Sequence, residues 1–244
     1  MNCPICKEAL DGINSFTVPF LNTKEWHREY RPEHKYMYCF CRRCGVWISI
    51  NQRLWKPIDF ANNCYNESYA DFDGDILNPN GNRPTFHKNL LLSVFQHYAN
   101  KRVLDYGCGR GYVVQYMADT KSWGIEGYDP YYGDSARPVT AQYDLITAFE
   151  VLEHLYDIVD LFNYFYSILN SGGVVYATTD VTDLMPDVRH NYYTCPRVGH
   201  VMLHSYRSLG IIAKITGFNV IHLPKDEKHG IQGHLFIKER TVWS

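Results

Sequence analysis

Val103-Leu104-Asp105-Tyr106-Gly107-Cys108-Gly109-Arg110-Gly111-Tyr112 is the stretch whose reading decides the fold. An apolar pair runs into an acid, and three glycines follow at alternate positions. That order predicts a buried strand, a tight turn and the opening of a helix. Glycine permits both the positive φ of such a turn and the close approach of a ligand to bare backbone. A dinucleotide fingerprint would place its third glycine three residues after its second, at position 112, where this chain has Tyr112. A nicotinamide or flavin site therefore fits poorly.

The segments that follow continue an α/β pattern. Trp123-Gly124-Ile125-Glu126-Gly127-Tyr128-Asp129-Pro130 reads as a second short strand closed by an acid, 18 residues past Gly111. An acid at that place in a doubly wound sheet can bind both hydroxyls of a ribose. Tyr143 to Phe149 reads as a fourth strand leading through Glu150-Val151-Leu152-Glu153-His154 into a helix. Asn170-Ser171-Gly172-Gly173 reads as a turn, and Val174 to Thr178 as a fifth strand. Ser205 is placed to cap a helix running to Thr216 with Gly217 ending it, and Phe218 to Leu223 and His234 to Lys238 read as the last two strands.

The D-x-G-x-G-x-G spacing, the run FEVLEHL and the later SGGVVYATT together resemble class I S-adenosylmethionine (SAM) methyltransferases. The resemblance implies a Rossmann-like, doubly wound α/β sheet with Asp105, Gly107, Gly109, Gly111, Asp129, Phe149 and Glu150 around SAM. It also places the pair Glu153-His154 beside the cofactor, and a loop with aromatics and a histidine over the substrate. His154, His200 and Tyr193 are thus the catalytic candidates. A histidine can take the proton of an acceptor hydroxyl and a tyrosine can orient it. For His154 the other reading is a scaffold tying the helix start to a loop, and for Tyr193 it is packing. One departure stands out. Only 14 residues separate Asp129 from Asp144, where the family fits a helix and a third strand, so the third-strand region is expected to be shortened.

Ahead of this domain, Cys3-Pro4-Ile5-Cys6 and Cys41-Arg42-Arg43-Cys44-Gly45 form two C-x-x-C turns separated by 34 residues. Two facing turns of this kind make a tetrahedral set of thiolates, Cys3, Cys6, Cys41 and Cys44, suited to a structural Zn2+. Cys39 could compete as a ligand, but its apolar neighbours Tyr38 and Phe40 favour a strand. The organisation read from these landmarks is a zinc-binding head over 1–60, a linker over 61–84 and the SAM domain over 85–244.

Composition limits the remaining choices. The net charge is −2, with +3 over residues 1–60 and −5 over the rest, so no strong basic field points to nucleic acid. No apolar run reaches the roughly 20 residues that span a bilayer. Eight cysteines without an export signal suggest a reducing, cytoplasmic setting. Nucleic-acid amino-methylating enzymes carry an Asp/Asn-Pro-Pro-aromatic motif after the fourth strand, where this chain has Phe149-Glu150-Val151-Leu152. A four-cysteine head on an FEVLEH-type domain resembles methyltransferases of sugars or nucleotide-linked sugars. The expected reaction is methyl transfer from SAM to a small hydroxylated acceptor. An RNA or DNA methyltransferase gripping phosphates with its head, and a non-catalytic zinc-containing SAM-fold interaction protein, are the alternatives.

Overall fold

The computed structural model describes residues 1–10, 14–19, 35–71, 73–120, 123–132 and 142–239. The polar and aromatic stretch 26–32 and most of the shortened third-strand interval, 133–141, lie outside these residues. The strands are β1 (Ser15–Pro19), β2 (Lys35–Phe40), β3 (Trp47–Ser49), β4 (Arg102–Tyr106), β5 (Gly124–Tyr128), β6 (Tyr143–Phe149), β7 (Leu169–Thr178), β8 (Met202–Leu203), β9 (Phe218–His222) and β10 (Gly233–Lys238). The helices are α1 (Pro57–Asn63), α2 (Asn82–Ser93), α3 (Tyr112–Ala118), α4 (Ile158–Ile168) and α5 (Tyr206–Thr216), joined in places by single 3-10 turns. Among the described residues no helix is long and apolar enough to cross a membrane.

The chain divides into two compact units. The first comprises Met1–Asp73, Leu152–Ile158 and Asp180–Ile212, and the second Gly74–Val151, Val159–Thr179 and Ala213–Ser244. The cysteine-bearing unit therefore holds more chain than the continuous span 1–60, and the span 61–84 contributes part of α1 and two 3-10 turns rather than a bare linker. The physical reason is strand pairing. The antiparallel sheet of this unit has the order β1-β2-β3-β8, and Trp47 of β3 pairs with Leu203 of β8. Val18, Tyr38, Tyr193 and Leu203 form its apolar cluster, so residues far apart in sequence share one small core.

The second unit is built on a six-stranded sheet of order β5-β4-β6-β7-β10-β9. The four strands β5, β4, β6 and β7 run parallel, while β10 is antiparallel to both neighbours. Central strands buried on both faces read as apolar runs, and Val103, Leu104, Leu145, Ile146 and Ala148 are fully buried. Leu91, Phe95, Val113, Met117, Trp123 and Tyr176 join Val103 and Leu145 in the main cluster. From α4, Phe162 packs on Phe236 and Phe218, with ring centres 4.5 and 5.8 Å apart.

Two local expectations change form. The Asn170–Gly173 turn is a bulge inside β7: Tyr143 pairs with Leu169 and Leu145 with Val174, so the four residues Asn170–Gly173 lie opposite Asp144 alone. The helix expected after Pro84 starts at Asn82, with Pro84 in its first turn, where a missing N–H removes no helical bond. The cap at Ser205 is present as a reciprocal pair, the Ser208 amide donating to Ser205 Oγ and the Ser205 amide to Ser208 Oγ.

Candidate functional site

The loop after β4 is stitched onto the end of β5. The amides of Gly107 and Cys108 both donate to the Tyr128 carbonyl, at 2.7 and 3.1 Å. The next free turn of chain is held by a side chain: Asp129 Oδ2 accepts from the Gly109 amide at 2.9 Å, and Asp129 Oδ1 accepts from the Tyr131 amide at 2.8 Å. Burial raises the Asp129 carboxyl pKa, while amides of Tyr131, Gly109 and Tyr132 oppose that by stabilising the carboxylate. Gly107 is the glycine the loop cannot exchange. Its φ is +75°, and a Cβ there would lie 2.5 Å from Val151 Cγ2.

Asp105 lies in β4 just ahead of the loop, buried, with Oδ1 accepting from Thr147 Oγ1 at 2.7 Å. Burial pushes its carboxyl up to about 7, with the Thr147 hydrogen bond opposing and the Asp129 charge adding to it. At the end of β6, Glu150 takes φ +54°, a left-handed conformation rare for a side-chain-bearing residue. Its amide is shared between the Thr178 carbonyl at 3.1 Å and Thr178 Oγ1 at 3.0 Å, which holds the strained turn. Phe149 lies flat on His87 of α2, with ring centres 3.7 Å apart and planes 8° apart. His87 was not singled out in the sequence. Burial, with Arg83 adding, lowers its pKa to about 3, and its Nε2 has no hydrogen-bond partner among the described residues. The available signal was its place on the buried face of α2 with Pro84, Lys88 and Leu91.

The structure thus brings together Asp105, the three loop glycines and Asp129, and places Phe149 and Glu150 at the end of the neighbouring strand β6. A carboxylate beyond the end of the second strand and glycine backbone beyond the first suit a nucleoside with vicinal hydroxyls. When bound, SAM supplies an activated methyl on a sulfonium.

The first unit carries two clusters able to hold a metal ion among the described residues: Cys3, Cys6, Cys41 and Cys44, and Glu153, His154 and His200. The two cysteine turns have the same backbone bonding. The Lys7 and Gly45 amides donate to the Cys3 and Cys41 carbonyls, and the Cys3 and Cys41 amides donate to the Glu8 and Val46 carbonyls. Lys7 and Gly45 both have positive φ, +62° and +79°; at Gly45 a Cβ would also meet Ser205 Oγ at 2.7 Å. The Sγ atoms of Cys3 and Cys44 are 3.6 Å apart, and those of Cys6 and Cys41 3.4 Å. Tetrahedral zinc with Zn–S bonds of about 2.3 Å sets sulfurs roughly 3.8 Å apart, so the donor set fits. Contact with Cys44 lowers the Cys3 thiol to about 5, and the same contact raises Cys44. Cys39 is a buried β2 residue outside the cluster.

In the second cluster, His154 Nδ1 lies 3.1 Å from the Gly199 carbonyl and 3.0 Å from the Tyr65 hydroxyl, and His200 Nδ1 lies 2.6 Å from the Tyr193 carbonyl. Carbonyls only accept, so each ring donates its Nδ1–H to backbone and turns Nε2 towards Glu153. Glu153 Oε1 is 3.8 Å from His154 Nε2 and 4.0 Å from His200 Nε2. Tyr193 is buried, and its hydroxyl accepts from the Asp180 amide at 3.2 Å, so it packs and supports the loop. The sequence pairs Glu153 with His154 but gives no sign that His200 joins them.

The sheet order and the glycine loop define a class I SAM-dependent methyltransferase fold, here with a four-cysteine cluster able to bind a metal ion. The chain belongs to the methyltransferase-domain family, which matches residues 80–223, over half its length. Among solved structures it is similar to a Burkholderia thailandensis 1,6-didemethyltoxoflavin-N1-methyltransferase with bound 1,6-didemethyltoxoflavin and S-adenosylhomocysteine. The TM-score is 0.53 at 12% identity, covering 88% of this chain and 99% of that one. It is also similar to the pyocyanin biosynthetic protein PhzM, with TM-score 0.50 and 11% identity over 68% of this chain, and spans only 61% of that protein. These similarities are of fold. No curated protein matches the chain by sequence.

Three outcomes are expected. Asp129→Ala unlatches Gly109 and weakens SAM binding about 10- to 100-fold in calorimetry, the range of a lost hydrogen bond to a charged group. Asp105 ionises less readily folded than unfolded, so its burial removes stability as pH rises from about 4 to about 7. Asp105→Asn lacks that penalty, and its melting temperature relative to wild type therefore rises between pH 5 and pH 8. Cys41→Ser, or stripping zinc with a strong chelator, lowers thermal stability and releases zinc measurable with a chromogenic dye.

Proposed function

We propose that this protein transfers the methyl group of SAM to a hydroxyl of a small acceptor, with a sugar or nucleotide-linked sugar as the favoured class. The observation that carries the reading is the Asp129 carboxylate latched to Gly109 at the mouth of the first two parallel strands. That is the arrangement expected of a ribose-binding acid set beside a glycine loop. The small-acceptor class is supported by the formal charge of −2 and by the solved relative that holds a small heterocyclic substrate. The sugar class is supported by the four-cysteine head joined to the FEVLEH run.

The reaction is a displacement at carbon. An acceptor oxygen lone pair forms the new C–O bond as the C–S bond breaks, the sulfur keeps the pair, and S-adenosylhomocysteine leaves. The acceptor hydroxyl must lose its proton. The cluster Glu153–His154–His200 is assigned that role, because both imidazoles turn Nε2 towards one carboxylate, which favours taking up a proton there. Tyr193 serves by seating His200, its carbonyl fixing the Nδ1 proton.

Label transfer from radioactive SAM to a panel of nucleotide sugars and short RNAs tests the assignment. Transfer to a sugar is expected, with little dependence on salt. Transfer to RNA that falls steeply with salt would mark phosphate neutralisation and overturn the small-acceptor reading. His200→Ala is expected to lower turnover about 10²- to 10⁴-fold, the usual share of general acid–base catalysis, while the SAM dissociation constant stays within twofold.

A further inference from the structure

We propose that Glu153, His154 and His200 form a divalent-cation site, separate from the four-cysteine cluster and open to an oxygen ligand. The inference deepens the proton-handling role given to these residues above, but the site itself stands on its own geometry.

Each of the three side chains offers one donor atom, and the three atoms lie within 4.8 Å of one another. Backbone contacts decide which ring nitrogens are turned to the cluster. His154 donates Nδ1–H towards the Gly199 carbonyl and His200 donates Nδ1–H to the Tyr193 carbonyl, which leaves Nε2 of each facing Glu153 Oε1. An Nδ1–H bonded to backbone carbonyl is the support that metal-binding histidines ordinarily have, since it fixes the ring and raises the basicity of the other nitrogen. The Glu153 side chain is fully buried, and those of His154 and His200 are 15% and 14% exposed.

Metal bonds of about 2.0–2.2 Å set donor atoms roughly 3.3 Å apart. The observed 3.8 and 4.0 Å close to that by small rotations of side chains already held at Nδ1. Two imidazoles and one carboxylate suit zinc, iron(II), manganese or cobalt better than calcium, which prefers oxygen alone. Three protein ligands leave coordination positions for water or for the hydroxyl of a small ligand, in contrast to the closed four-thiolate set. A cation there lowers the pKa of an oxygen bound to it. The cluster would then remove a hydroxyl proton by ionising the bound oxygen, the proton leaving to solvent, rather than by storing it on an imidazole.

The test uses the full chain with its four-cysteine site loaded with zinc and loosely held metal removed by dialysis against a mild chelator. Cobalt(II) is titrated in and its visible d–d absorption recorded, with total metal measured by atomic emission. Binding of about one cobalt per chain, beyond the retained zinc and without thiolate-to-cobalt charge-transfer bands, is expected. Glu153→Gln and His200→Gln should weaken it about 100-fold, and Tyr65→Phe, which removes the hydroxyl beside His154 Nδ1, about 10-fold. Retained zinc and an unchanged SAM affinity in these variants show that they are folded. No cobalt signal in the wild-type protein, or a signal unmoved by Glu153→Gln and His200→Gln, overturns the site. Label transfer from SAM, read separately, reports on the proposed methyl transfer, so the two ideas fail independently.

Discussion

The bond on which the cofactor end of the fold depends joins the Asp129 carboxylate to the Gly109 amide. Strands β4 and β5 pair in register as far as Tyr106 and Tyr128, where the ladder stops. Beyond it the chain must turn three glycines over the sheet edge, and glycine loses the most freedom on ordering. The Tyr128 carbonyl takes two amides of the loop, Gly107 and Cys108, and has no capacity for a third. Only a side chain reaching back from the next residue can receive Gly109. Leaving that amide without a partner would cost about 1–3 kcal/mol. A single acid thus closes the turn and presents negative charge at the mouth of the strands.

The cysteine-bearing unit solves a different problem. Its sheet has four short strands, and apolar packing is joined there by further ties. Two backbone-identical knuckles give one such tie through their thiolates. Buried polar contacts give another. Arg197 is 2% exposed, yet its guanidinium donates to the Cys64 carbonyl at 2.7 Å, to Asn66 Oδ1 at 3.0 Å and to Ser68 Oγ at 2.7 Å. Gln52 adds a bond to the Pro196 carbonyl at 2.8 Å. These fix the short turn Pro196–Val198, which immediately precedes Gly199 and His200.

What could be read from the chain was what local rules govern. The knuckles are legible because a C-x-x-C turn is complete within six residues, and the glycine loop because dihedral demands leave few alternatives. The cap at Ser205 and the stop at Gly217 are likewise local. The bulge in β7 was misread as a turn because Ser171-Gly172-Gly173 carries the same chemistry in either setting; only pairing with β6 decides. The membership of residues 180–212 in the cysteine-bearing unit was invisible, since it rests on β8 finding β3 more than 150 positions earlier. His87 escaped for the same reason, and so did the meeting of Glu153 with His200. A buried histidine under a phenylalanine and a carboxylate between two imidazoles exist only once distant segments meet. The strain at Glu150 left no trace either, because glutamate is not the residue a left-handed position asks for.

The histidine cluster shows how backbone can decide side-chain chemistry. An imidazole has two equivalent choices for its proton in water, and solvent exchanges them freely. Next to a carbonyl that choice disappears, because the oxygen can only accept. The Tyr193 and Gly199 carbonyls therefore determine which nitrogen of His200 and His154 is basic, and the basic atoms face Glu153. Those carbonyls are themselves placed by buried groups: Tyr193 lies in the apolar cluster with Tyr38, whose hydroxyl donates to the His200 carbonyl. Packing of aromatic side chains thus propagates, through rigid peptide units, to the position of two protons. Any ligand that the cluster takes then meets two Nε2 atoms and one carboxylate, the donor set that the proposed cation site uses.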